Sequence, residues 1–105
     1  MSDQVVQALR VLLADTYTLY LKTQNFHWHV TGPNFKSFHE LFEMQYTDLA
    51  GAVDEVAERI LTLGETAPAT YKEFAALTTL EEGQSGLTAK EMVETLVGDQ
   101  DKILK

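Results

Sequence analysis

Between Asn34 and Gly64 the apolar residues Phe35, Phe42, Tyr46, Leu49, Val53, Val56, Ile60 and Leu63 recur mostly at alternating steps of four and three. That spacing is the stripe of an amphipathic helix packing in a bundle. Asn34 stands at the expected N-cap and Gly64 at the expected C′ position, so both ends carry a signal. An earlier periodic stretch runs from Ser2 or Asp3 to Val30. Val5, Leu9, Leu12, Leu19 and Phe26 trace one strip there, with Val6, Leu13, Tyr17 and Leu21 beside it. Neither Gly nor Pro interrupts it until Thr31, Gly32 and Pro33 favour a turn. So short a connection predicts an antiparallel helical hairpin.

The pattern weakens after Gly64. Residues 65–70 read as a connector, and Tyr71, Phe74 and Leu77 as one side of a short helix over 70–77. Residues 81–86 form a second loop. Thr88 and Glu91 match a capping box that opens a third long helix through Met92, Val93, Leu96, Val97, Ile103 and Leu104. Its periodicity still runs at Lys105. The expected fold is all-α: a long antiparallel hairpin, a short connecting helix and a third long helix. Residues 1–105 then make a single bundle domain, expected to be incomplete at its C-terminal end and to lack a fourth helix.

Chemistry is superimposed on the second helix. Taking His39 as zero and about 100° per residue, Glu43 falls near 40°, Asp54 near 60° and Glu58 near 100°. Four potential metal ligands thus share one side, as two pairs four residues apart. A single helix cannot bring both pairs to one ion. The fifteen residues from His39 to Asp54 span roughly 22 Å, whereas a metal–ligand bond is about 2 Å. An antiparallel second copy removes the mismatch, because its Asp54 and Glu58 lie opposite His39 and Glu43 of the first. Two equivalent shared sites are what a two-fold dimer produces. Thr47, Ala50 and Gly51 are small enough near the crossing for close approach.

Antiparallel packing also returns His27, near the end of the first helix, toward His39 and Glu43. Its neighbour Trp28 is expected mainly to pack, and an indole beside a redox metal can also intercept oxidising equivalents. His29 faces another side and reads as an ordinary exposed histidine. A lone Asp–Glu pair on a helix is usually a solvated face. The joint placement of His27, His39, Asp54 and Glu58 favours a site.

Cysteine is absent, so disulfides and thiolate ligands are excluded and a metal must be held by nitrogen and oxygen. The formal charge of −8 and the scattered basic residues disfavour nucleic-acid phosphate. An acidic surface suits the concentration of cations. No apolar run reaches membrane-spanning length, and the N-terminus shows no signal-peptide pattern. A cytoplasmic location without membrane contact is expected.

The run Lys22 to Phe35, which contains His27, Trp28 and His29, closely resembles the miniferritins, the family of DNA-binding proteins from starved cells (Dps). So do Phe38, His39 and Glu40, Glu43 to Tyr46, and Asp54 to Ile60. The likeness extends from about Arg10 to Lys105. It implies a ferritin-like subunit in a hollow dodecameric homo-oligomer with ferroxidase centres across two-fold interfaces. By position, His27 and His39 are then ligands from one subunit, and Asp54 and Glu58 from its neighbour. Glu43 matches an acidic position that ligates directly or through water, and Trp28 the tryptophan beside the centre. The implied activity is oxidation of Fe(II) by hydrogen peroxide, Fe(III) storage in the shell, and protection from oxidative damage. His29 replaces an Asn common in the family, and no lysine-rich arm is present, so DNA binding is not expected. The competing expectations are a non-catalytic helical dimer and a buffer for zinc or another divalent metal, since N/O ligands alone do not select iron.

Overall fold

A computed structural model describes residues 3–104. The chain forms α1 (Asp3–His29), α2 (Phe35–Thr62), α3 (Tyr71–Leu77) and α4 (Ala89–Leu104), with no strand among the described residues. The all-α order expected from periodicity is therefore the observed one. α1 is the axis of the body, because α2, α3 and α4 each pack against it. The molecule measures 51 × 24 × 20 Å. None of the described helices is long and apolar enough to cross a membrane.

The core joins Leu19, Phe26 and Val30 of α1 to Phe42 of α2, Leu80 of the connector, and Met92 and Leu96 of α4. Phe26 and Phe42 are fully buried with ring centroids 6.2 Å apart. Burial of each such side chain contributes about 1.5–3 kcal/mol. Val5 and Leu21, placed on the apolar strips by sequence, are instead exposed. The buried face of α1 carries polar residues in their neighbourhood. Lys22 pairs with Asp99 of α4 at 2.5 Å, both being almost fully buried. Asp15 accepts hydrogen bonds from the Thr78 hydroxyl (2.6 Å), the Thr79 amide (2.6 Å) and the Thr79 hydroxyl (2.8 Å). This charge-assisted cluster ties the exit of α3 to α1. Buried Thr23 satisfies its own hydroxyl on the Leu19 carbonyl at 2.7 Å.

The helix ends explain the hairpin and the connector. Asn34 occupies the N-cap of α2, but its side chain makes no capping bond, contrary to expectation. The start is instead held by main chain: Phe35 donates to the Gly32 carbonyl at 3.1 Å, and Gly32 takes φ +107°. At the other end, Gly64 (φ +81°) donates to Leu61 at 3.0 Å and Glu65 to Ile60 at 3.3 Å. That pair of bonds is a Schellman stop, which a left-handed glycine permits. The Thr88–Glu91 capping box closes in both directions, at 2.9 and 3.2 Å. At the start of α3 the Thr70 hydroxyl accepts from the Glu73 amide at 3.2 Å, while the Glu73 carboxylate accepts from the Thr70 hydroxyl at 2.9 Å and the Ala69 amide at 3.3 Å.

Candidate metal centre

His27 lies in the last turn of α1 and His39 in the second turn of α2, so closure of the hairpin brings the rings together. They stack with centroids 3.7 Å apart and planes at 20°. Each ring also bonds the other residue's main chain. His27 Nδ1 donates to the His39 carbonyl at 2.6 Å, and His39 Nδ1 donates to the His27 carbonyl at 2.7 Å. Because a carbonyl only accepts, both Nδ1 atoms carry hydrogen, so in the neutral rings it is Nε2 that offers a lone pair to a metal. The His27 carbonyl belongs to the last turn of a helix, where no intrahelical partner exists. The His39 ring thereby caps α1 while its Nε2 is oriented as a ligand.

Glu43, one turn after His39, completes the group. Its Oε1 lies 3.6 Å from His27 Nε2, and one ligand atom from each of the three residues falls within 4.8 Å of the others. His27 is buried, His39 half-buried, and the Glu43 side chain mostly exposed. Ligand bonds of about 2 Å place donors on one ion at most about 4 Å apart. The 3.6 Å pair already meets that limit, and two imidazoles and a carboxylate are a donor set suited to a divalent first-row metal.

Asp54 and Glu58 do not join this group. Both are exposed on α2, and helix geometry sets Asp54 roughly 22 Å along the rod from His39. Only Phe42 and Ile60 of the 28 residues of α2 are buried, so most of this helix is uncovered within one chain. Trp28 is 60% exposed and is not packed as its residue type led one to expect. His29 is exposed and donates Nδ1 to the Asn25 carbonyl at 2.8 Å, outside the histidine pair.

Two aromatic walls were missed when Phe35 and Tyr46 were read only as stripe residues. The Phe35 ring stacks on His39 at 5.0 Å, and Tyr46 meets His27 edge-on at 5.3 Å. The available signal was their spacing, four residues before His39 and three after Glu43, which places them on the ligand side of α2.

The chain thus presents a long hairpin with stacked histidines at its closed end and carboxylates farther along its second helix. The Ferritin-like domain model matches residues 6–105. The chain is 42% identical over 104 residues to DNA protection during starvation protein 2 of Bacillus anthracis, covering 99% of this chain and 71% of that relative. Dps from Staphylococcus aureus superposes with a TM-score of 0.91 at 39% identity, covering 96% of this chain and 68% of the other. The Vibrio cholerae O1 protein, described as a member of a broad superfamily of ferritin-like diiron-carboxylate proteins, gives 0.93 at 31% identity, with 96% and 64% covered. The chain belongs to the ferritin-like family, and its relatives there include Dps proteins. It spans roughly two-thirds of the length of these relatives.

Proposed function

We propose that this chain is a ferroxidase subunit of a cytoplasmic iron-storage and detoxification protein. Its centre takes His27, His39 and Glu43 from one protomer and Asp54 and Glu58 from a two-fold partner. The reciprocal Nδ1–carbonyl bonds carry this reading, because they hold both imidazoles in a ligating orientation before any ion arrives. Asp54 and Glu58 remain as exposed carboxylates on a largely uncovered helix, free to complete a neighbour's centre. Two such dimeric sites per pair suit a closed homo-oligomer, for which a dodecamer is the arrangement implied by the family resemblance. Relatives named for DNA protection fit a protective role, exercised here by consuming iron and peroxide.

The substrate chemistry balances simply. Two Fe(II) and one hydrogen peroxide, with two protons, give two Fe(III) and two water molecules. The O–O bond breaks with both electrons supplied by iron, so no hydroxyl radical is released. Within the protein, the two Nε2 atoms and the Glu43, Asp54 and Glu58 carboxylates hold the ferrous substrate. The N/O donor set does not itself choose iron, so zinc competes for the same atoms.

Anaerobic addition of Fe(II) followed by peroxide tests the assignment. Fe(III) absorbance should rise at once, with two Fe(II) consumed per peroxide, and prior Zn(II) should inhibit it. Silence in the assembled protein would remove ferroxidase activity and leave a metal buffer or a structural dimer.

A further inference from the structure

The aromatic contacts at the histidine pair continue away from it. Tyr46, edge-on to His27, stacks on Tyr20 of α1 at 5.9 Å. Tyr20 meets Tyr17 at 5.7 Å, and Tyr17 stacks on Phe74 of α3 at 4.7 Å. All of these separations lie within the roughly 4.5–7 Å range of direct ring contact. Packing alone does not require phenols here. The adjoining core uses Phe26, Phe38 and Phe42, whereas all three positions of this row carry a hydroxyl. Three of the four tyrosines in the chain stand in the row. The fourth, Tyr71, shares with Tyr17 and Phe74 the wall of a surface groove of about 340 Å³ between α1 and α3. Trp28, by contrast, makes no ring contact with the histidine pair among the described residues.

We propose that Tyr46, Tyr20 and Tyr17 form a redox relay that carries oxidising equivalents from the metal centre to this groove. The relay rests on the peroxide-dependent oxidation proposed above and serves the turnover in which a single Fe(II) is bound. Peroxide cleavage then takes one electron from Fe(II) and one electron with its proton from the Tyr46 phenol. The products are Fe(III), hydroxide, water and the Tyr46 phenoxyl radical. Tyr20 returns an electron to the Tyr46 radical, and Tyr17 does the same for Tyr20; each oxidised phenol releases its proton to water and each reduced one regains a proton from it. A ferrous ion at the groove reduces the Tyr17 radical, which regains a proton from water. A benzene ring cannot donate in this way, so Phe74 ends the path at the groove wall. The net stoichiometry stays at two Fe(II) per peroxide.

The test uses the full chain loaded anaerobically with less than one Fe(II) per histidine pair, mixed with hydrogen peroxide and freeze-quenched for electron paramagnetic resonance. A tyrosyl signal is expected, and its hyperfine structure should collapse when ring-deuterated tyrosine is incorporated. Tyr46→Phe should lose that signal. Tyr20→Phe should retain a Tyr46-centred signal with a longer lifetime, because its exit is cut. Both substitutions keep the ring stack, and thermal melting checks that the fold is retained. Wild-type protein that forms Fe(III) without a tyrosyl signal, or Tyr46→Phe with an undiminished one, overturns the relay and leaves the ferroxidase assignment standing. Absence of Fe(III) even with excess Fe(II) and peroxide overturns both.

Discussion

A shared centre can be taken apart by mutation and reassembled by mixing. His39→Ala removes one imidazole, yet the residue 39 carbonyl still accepts from His27 Nδ1 at 2.6 Å, so His27 keeps its orientation. The lost bond from His39 Nδ1 to the His27 carbonyl costs about 0.5–1.5 kcal/mol, well short of unfolding an ordinary domain. Asp54→Ala alters an exposed side chain and should change stability by no more than about 0.5 kcal/mol. Each variant alone should be inactive, because every centre in its homodimer lacks a ligand. In an equimolar exchanged mixture, half of the dimers are mixed. Each of those has one centre with intact histidines and intact acids, and one centre missing both. Recovery should therefore reach about one quarter of wild-type activity per protomer, the value set by two-fold symmetry. The assay is the initial rise of Fe(III) absorbance after peroxide, with subunit exchange established by mass spectrometry of labelled chains. Exchange without recovery would refute a centre assembled in trans.

Two other outcomes follow from contacts outside the centre. Lys22→Met strands the buried Asp99 carboxylate and should cost about 3–5 kcal/mol, read from the urea midpoint. Adding Asp99→Leu should restore most of the loss, since an apolar pair removes the unpaired charge. At the start of α4, the Thr88 backbone amide and then its side chain hold the Glu91 carboxyl below its ordinary value of 4.5. A lowered folded-state value means that the cap's contribution is complete at neutral pH. It is lost as acid passes below 4.5 and through the lowered value. Amide chemical shifts of residues 88–92 should record this fraying on acidification, and Glu91→Gln, which removes the titrating group, should abolish its pH dependence.

Much of the helical layout was legible because each segment carries its own periodicity and end signals. Gly64 stops α2 through main-chain geometry that any left-handed glycine can supply, and the Thr88–Glu91 box starts α4 through bonds only three residues apart. The Asn34 side chain was the exception among the predicted ends, because its backbone (φ −107°, ψ 30°) is not in the extended conformation that turns a cap oxygen toward the second or third amide of the helix. The meeting of His27, His39 and Glu43 was also inferable, since one short turn connects their helices. Non-local polar contacts were not. Nothing in the local pattern joins Lys22 to Asp99 or Asp15 to Thr78 and Thr79, and these groups are buried on α1 beside Leu13, Leu19 and Phe26 of the expected apolar strips.

Local sequence determined the helices, the turns and the clustering of N/O donor types without thiolate, because these depend on residue identity over a few positions. Tertiary structure decided which atoms of the donors are available. The hairpin sets each Nδ1 against a carbonyl and leaves Nε2 to offer the lone pair of each neutral ring, and it lines Tyr46, Tyr20 and Tyr17 into one row across two helices. Spacing along a helix fixes direction around its axis, whereas ring tautomer and ring-to-ring contact depend on where a second helix comes to rest.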